Sequence, residues 1–391
     1  MSEIKAITCP WRKKCGGCTT IGQPYQLTLD TKLKKLNETV RPAAKVDEIV
    51  GMEDPYHYRN KVHWCFAMQN NAYNERVHVA GIYAAGTHKV ISVSNCLIEN
   101  EEADAILKDI VQIARKYKMP YFDEDTGLGL LRHVVIRTGH KTGQIMVVLV
   151  LSDREMPGKK NFVDLLRKKH PNIETVVINV NDQKTNMVLG ERETNAYGRG
   201  FIEDELCGKR FRISSRSFYQ VNSEMTEKLY GTAIEWANLT GHEKVVDAYC
   251  GIGTIGICTA DKAKSVIGCE LNPDACKDAD VNVKRNGLKN VRIVNEDAGR
   301  FLSEMADEHE KADVIFLDPP RSGSTEEFLD AAAAVSPGRI IYISCGPESL
   351  ARDLKYLKKK GYTPRKAKAF DMFPFTDHVE TVVLMSRIEG K

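Results

Sequence analysis

Apolar residues along the chain follow two rhythms, and the change falls near residue 213. Before it come short runs rich in β-branched and aromatic residues, NKVHWCFAM, HVAGIYA, LRHVVIRT, QIMVVLVLS and TVVINV, separated by Gly, Asn and Asp. Runs of that length between turn residues predict strands, so this half reads as an antiparallel, sheet-rich unit with one helix among its strands. After it, apolar strands alternate with helical patterns: KVVDAYC then GTIGICTADKA, SVIGCE then PDACKDADVNVKRNG, then VRIVNED, DVIFLDPP and RIIYISC. A closing pair surrounds YTPRKAKAFDMF and ETVVLMS. Such alternation predicts parallel β-α-β units in a doubly wound α/β sheet. The segment YQLTLDTKLKKLNETV has helical periodicity, and its Leu27, Leu33 and Leu36 face needs an apolar partner. The expected organisation is therefore a β-rich unit from residues 1–18 and 48–212, a helix over 19–47 docked on the second unit, and a Rossmann-like domain over 213–391.

Composition adds limits. A chain of 391 residues with 42% hydrophobic content can bury the cores of two such units. No run approaches the roughly 18 apolar residues of a membrane span, and MSEIKAITCPWRKKCGG contains no apolar leader, so a cytoplasmic protein with no membrane partner is expected. Thiols stay reduced in that compartment, so clustered cysteines among the eleven point to metal or catalysis rather than disulfides. The net charge of +3 is too small to identify a partner. The basic runs WRKK, KLKK, LRKKH and LKKKGYTPRKAK suit a phosphate-rich ligand and equally suit solvated helix faces.

The chemistry gathers at strand ends. In VVDAYCGIGTIGI an acidic residue closes a strand, and Gly251, Gly253 and Gly256 open a helix where backbone can approach a ligand closely. The next strand ends in Glu270, placed to accept both hydroxyls of a ribose; NEDA offers Asp297 for an adenine edge, and FLDPPRSG places Asp318 at a fourth strand end. Carboxylates at each end would repel a pyrophosphate but suit a cationic sulfonium, a pattern that resembles S-adenosylmethionine-dependent methyltransferases. Cys345 in ISCGPESLARD follows the next strand and so should face the same crevice. A thiolate beside a methyl donor suggests covalent catalysis on a weakly nucleophilic carbon, such as carbon 5 of a pyrimidine. Addition at carbon 6 activates carbon 5; a base must later take the carbon 5 proton, and Glu380 in DHVETVVLM is the candidate.

The ordered motifs SFYQVN, DAYCGIGT, LDPPRSG, YISCGPESLARD and FPFTDHVETVVLM resemble those of the RNA (uracil-5-)-methyltransferase family over nearly the whole chain. That resemblance implies Cys345 as nucleophile and Glu380 as base, with Gln220, Tyr249, Glu270, Asp297 and Asp318 binding S-adenosylmethionine. Two departures stand out: no N-terminal RNA-binding barrel of the TRAM type is visible, and Gly346 follows the Ser-Cys pair where many relatives have asparagine. At the N-terminus, CPWRKKCGGC with Cys96 in VSNCLIEN offers three close thiols and a remote fourth, a set open to a four-iron four-sulfur cluster or to zinc. Likeness to the ribosomal-RNA members implies the cluster, on Cys9, Cys15, Cys18 and Cys96, within the β-rich unit. The implied activity is methylation of carbon 5 of uridine in 23S ribosomal RNA by a monomer, with the target base flipped out. The rivals are a transfer-RNA enzyme of the same chemistry, a cluster-bearing RNA-binding protein without activity, and an adenine amino-methylase suggested by DPP.

Other residues carry two readings each. Arg132 and Arg137 in LLRHVVIRT line an RNA groove or are ordinary exposed strand arginines. Phe218 and Tyr219 stack on a flipped base or pack beneath the crevice. His133 and His378 are read as structural, Arg321 is left open, and Cys65, Cys207, Cys250, Cys258, Cys269 and Cys276 are read as packing residues.

Overall fold

In the computed structural model, which describes residues 6–388, the two rhythms become two large sheets, with a two-stranded antiparallel sheet of Phe201–Leu206 and Lys209–Ser214 between them in sequence. The larger has eight strands in the order Ile49–Val50, Tyr362–Phe370, Glu380–Arg387, Arg339–Ser344, Val314–Leu317, Lys244–Ala248, Ser265–Glu270 and Val291–Asn295. Its last five strands, from Arg339–Ser344 to the edge strand Val291–Asn295, are parallel, and Glu380–Arg387 enters antiparallel beside Arg339–Ser344. The chain runs outward from Lys244–Ala248 in one direction and returns to Val314–Leu317 on the other side. The strand order therefore reverses between those two strands, and an open sheet leaves a crevice outside the carboxyl ends at such a point.

The second sheet has seven strands, in the order Val90–Ile91, Arg76–Tyr83, Lys61–Asn70, Leu131–Thr138, Ile145–Leu151, Ile173–Val180 and Arg192–Tyr197. Helices Glu101–Lys116 and Lys159–Lys169 cover one face, where Val134, Ile136, Val147 and Leu149 pack with Ile106, Ile110 and Phe162. The other face carries Val135, Val148 and Val150 into the core that also contains Met225, Leu229 and Tyr230. Burial from both sides explains why IMVVLVL is apolar at every position rather than alternating. Local signals hold the helices. Asn100 caps Glu101–Lys116 by accepting the Ala103 amide, with acidic residues in its first turn and Arg115 and Lys116 in its last.

Three expectations are corrected. The sheet is not wholly antiparallel: Ile145–Leu151 pairs in parallel with Ile173–Val180 through a crossover containing Lys159–Lys169, so there are two helices here rather than one. That helix buries only Phe162, Val163 and Leu166 among its lysines, which makes it read as a solvated connection. Ile49–Val50 belongs to the eight-stranded sheet, pairing with Ala369 and Phe370, rather than to the β-rich unit. In helix Tyr25–Val40, Leu36 is buried and Leu33 partly so, but Leu27 is 52% exposed. The face it packs runs through Tyr25, Leu29, Lys32, Leu36 and Val40. Among the described residues no helix is long and apolar enough to cross a membrane.

Candidate functional site

The carboxyl ends of the central strands open into a cavity of about 840 Å³ lined by Gln220, Tyr249, Glu270, Asp318, Cys345 and Glu380, all read from the sequence. The turn after Lys244–Ala248 needs unusual backbone: Tyr249 has φ +64°, Gly251 +57° and Gly253 +82°, a run of left-handed residues that turns sharply into helix Thr254–Thr259. Gly256 approaches Asp247 so closely that a side-chain carbon there would stand 3.0 Å from its carboxylate, and the Gly256 amide donates to that carboxylate at 2.7 Å. Glu270 accepts the Gly251 amide at 3.0 Å and the Asn272 amide at 2.7 Å, which fixes its carboxylate at the rim.

The turn bearing Cys345 is tied to the Asp-Pro-Pro-Arg turn, since the Ser349 hydroxyl donates to the Arg321 carbonyl at 3.0 Å. A side-chain carbon at Gly346 would lie 2.7 Å from that same carbonyl oxygen, so the turn as it stands has room only for glycine there. Burial pushes the Cys345 thiol up to about 11, and the negative charges of Glu380 and Asp318 push the same way. Burial also raises Asp318 to about 7 and holds Glu380 well above the ordinary carboxylate range, with Asp318 adding to the latter. Asp247 is raised to about 7 by burial, and its Oδ1 is buried without a partner among the described residues. Asp318 and Glu380 line the cavity, with Asp247 beneath its glycine turn, and a cationic occupant would favour the ionised forms of these acids.

Asp297 lies outside the lining and caps helix Ala298–Asp307, accepting the Arg300 amide at 3.0 Å. Phe218 and Tyr219 divide: Phe218 lines the cavity and is 69% exposed, while Tyr219 is buried and donates to Asp204 at 3.3 Å. The groove reading of Arg132 and Arg137 is corrected, because both are buried. Arg132 donates to the Asn181 and Gln183 carbonyls and covers the Phe122 ring. Arg137 donates to the Ser215 and Ser217 carbonyls at 3.1 and 2.6 Å, so it latches the segment leading to Gln220. Arg321 and His378 both line the cavity, as do Gly16, Gly17, Thr19 and Arg59, which the sequence did not point to.

A smaller cavity, of about 400 Å³, is lined by Cys9, Cys15, Cys18 and Cys96, and it shares Gly17 and Arg59 with the first. Burial raises Cys18 to about 11 and Cys96 to about 12, and neighbouring thiols add to the rise. Nearby, Cys65 joins His63 and His133, whose ring nitrogens lie 3.2 Å apart. Burial lowers the two histidines to about 4 and about 3, with Lys61 acting further on His63, and the paired His63 and then Arg132 on His133. Those cations disfavour a further positive charge, so the pair reads as hydrogen-bonded neutral imidazoles.

Three comparisons bear on this arrangement. The family model described as tRNA (Uracil-5-)-methyltransferase matches residues 24–388. An uncharacterized RNA methyltransferase of Halalkalibacterium halodurans is 38% identical over 382 residues, covering 96% of this chain and 82% of its own. Another, from Listeria monocytogenes, is 40% identical over 96% of this chain and 83% of its own. The solved tRNA (uracil-54, C5)-methyltransferase of Pyrococcus abyssi, in complex with S-adenosyl-L-homocysteine, superposes with a TM-score of 0.79 at 26% identity, covering 97% of this chain and 87% of that one. With an acid-lined cavity at the switch point of its α/β sheet, the chain belongs to the tRNA (uracil-5-)-methyltransferase family of S-adenosylmethionine-dependent RNA methyltransferases.

Proposed function

We propose that the chain methylates carbon 5 of a uridine in 23S ribosomal RNA through a covalent cysteine-uracil adduct, acting as a cytoplasmic monomer. The observation that carries the reading is the convergence of Cys345 and Glu380 on the cavity that also holds Glu270 and Asp318. Bound S-adenosylmethionine supplies an electrophilic methyl group. Glu270 is placed to accept ribose hydroxyls, Gln220 and Tyr249 to bind along the strand ends, Asp318 to face the positive charge, and Asp297 to act from the rim. Cys345 Sγ, as thiolate, adds to carbon 6 of the uracil, and the resulting enolate makes carbon 5 nucleophilic. After methyl transfer the Glu380 carboxylate removes the carbon 5 proton, the carbon 6–sulfur bond breaks, and the thiolate returns. Phe218, exposed at the mouth, offers a face for a base lifted from its stack.

The ribosomal assignment is supported by the cysteine pattern. A second reading, transfer RNA, is favoured by the likeness to the Pyrococcus enzyme. Protein-free 23S transcripts and transfer RNA at equal concentration decide between them. 5-Methyluridine is expected in the 23S transcript, with a rate falling steeply as salt rises because each neutralised phosphate releases counterions. Preferential methylation of the transfer-RNA T-loop overturns the ribosomal assignment.

We also propose that Cys9, Cys15, Cys18 and Cys96 hold a four-iron four-sulfur cluster. The four thiols line one cavity, and the likeness of their pattern to the ribosomal-RNA members favours the cluster over a zinc held by the same donors. Such a group has no electron to move in the reaction above, so its part is structural or RNA-facing. Protein purified without oxygen should be brown, with about four irons per chain, and Cys18→Ala should lose them. Stoichiometric zinc with no iron rejects the cluster.

A further inference from the structure

The carboxylate of Glu380 is buried, and no described side chain bonds or pairs with it. Its aim is therefore set by its backbone, which leaves the loop 371–379 and enters strand Glu380–Arg387 at that residue. The same loop contributes Phe373, Thr376, Asp377 and His378 to the cavity wall.

This loop is fastened mainly from outside, and one residue fastens both of its ends. Lys32 Nζ donates to Asp371 Oδ1 at 2.5 Å, to the Phe373 carbonyl at 3.0 Å and to the His378 carbonyl at 2.9 Å. Three protons on one ammonium thus draw together three points of a loop that would otherwise splay. Tyr25 completes the set: its hydroxyl donates to Asp371 Oδ2 at 2.8 Å and accepts the Met52 amide at 3.1 Å. Lys32 is 5% exposed and Asp371 fully buried. At the loop's far turn the Thr19 and Thr20 amides donate to the Phe375 carbonyl, and Phe375 is held at φ +65°. A buried aromatic residue keeps that conformation only where its surroundings impose it.

We infer that Lys32, with Asp371 and Tyr25, is a positioning device for Glu380: the ammonium closes the loop so that the carboxylate faces the reacting base. The inference rests on the reading of Glu380 as the proton acceptor. Helix Tyr25–Val40 thereby has a part in the reaction from more than 300 residues away in sequence, although none of its side chains lines the cavity. Displacing the base by even about 1 Å slows the step it serves by about a hundredfold, while the thiol on its own strand end stays in place.

The test uses the full chain with its RNA substrate and labelled methyl donor. Removing one member of a buried pair leaves an unpaired charge and endangers folding, so the main variant is the neutral double Lys32→Met/Asp371→Asn, with Tyr25→Phe as a milder second. For the double variant we expect unchanged binding of S-adenosylhomocysteine, a kcat lower by about tenfold to a hundredfold with KM for RNA little altered, and accumulation of methyl-labelled RNA–protein adduct. Tyr25→Phe should accumulate less adduct than the double and melt only modestly lower, since Asp371 and the Met52 amide each lose one partner, and this variant decides the matter if the double fails to fold. Normal turnover with no adduct in the folded variant overturns the inference, since a purely structural pair tolerates neutral replacement. Glu380→Gln runs beside them. Adduct in that reference with none in the clamp variants sinks only the positioning role, whereas no adduct in the reference sinks the reading of Glu380 itself.

Discussion

Replacing Cys345 by alanine is expected to lower methyl transfer by about 10⁴-fold or more, and to leave no RNA attached to protein after denaturation. Carbon 5 of uracil has too little electron density to take a methyl group unaided, and no other thiol lines the large cavity except Cys250, which is 5% exposed and turned under the glycine turn. The residues proposed to contact the donor lie on other segments of the cavity wall, so S-adenosylhomocysteine should bind Cys345→Ala as it binds the native chain. The same residue sets a pH dependence. With its thiol raised to about 11 by burial and the nearby carboxylates, the thiolate fraction, and with it the rate of adduct formation, should climb about tenfold per unit as pH rises below that value. A cation in the cavity favours the thiolate, so alkylation of Cys345 by iodoacetamide should be faster with a positively charged donor analogue bound than with neutral S-adenosylhomocysteine. Persistent 5-methyluridine formation by Cys345→Ala would rule out the covalent route.

How much of this was legible in the sequence differs by the kind of signal. Glu270, Asp318 and Cys345 each follow an apolar run and precede glycine, proline or a helix start, so their places at strand ends could be read residue by residue. Gln220 and Tyr249 needed the family likeness, because nothing in their local pattern marks a ligand site. Arg59, Thr19 and Lys32 were invisible: each reaches its partners across long sequence separations, and no periodicity records such a contact. Arg132 and Arg137 were misread for a specific reason. Alternation of apolar and basic residues signals a wet face only when one side of the sheet is open. Strand Leu131–Thr138 is buried at every position, and its arginines spend their protons on backbone carbonyls instead. Leu27 failed in the opposite way: the heptad-like leucines suggested one face, while the helix turns Tyr25, Leu29 and Lys32 inward because Asp371 requires Lys32 there.

Glu380→Gln should fail on the other side of the intermediate. The thiol, the donor contacts and the cavity walls are untouched, so Cys345 still adds to carbon 6 and carbon 5 still receives its methyl group. The neutral amide cannot take the remaining carbon 5 proton, elimination stalls, and the RNA stays bound to the chain. In a denaturing gel the product should be a shifted band that carries label from the methyl donor and collapses on RNase treatment, with turnover lower by about 10²–10⁴-fold. Burial that holds the carboxyl well above its ordinary range also makes the ionised group a stronger base than an exposed glutamate. It has a cost in stability with a definite sign. A carboxyl raised on folding contributes stability that is fully present below the unfolded value of about 4.3 and is lost as pH rises toward the folded one. Glutamine has no proton to lose there, so Glu380→Gln should melt no lower than the native chain at neutral pH and should lose less stability between pH 5 and the folded value. A stable variant that traps labelled RNA separates a missing base from a damaged fold. A variant that turns over at the native rate moves the proton transfer to another group in the cavity, with Asp318, raised to about 7 and facing the same space, the first to examine.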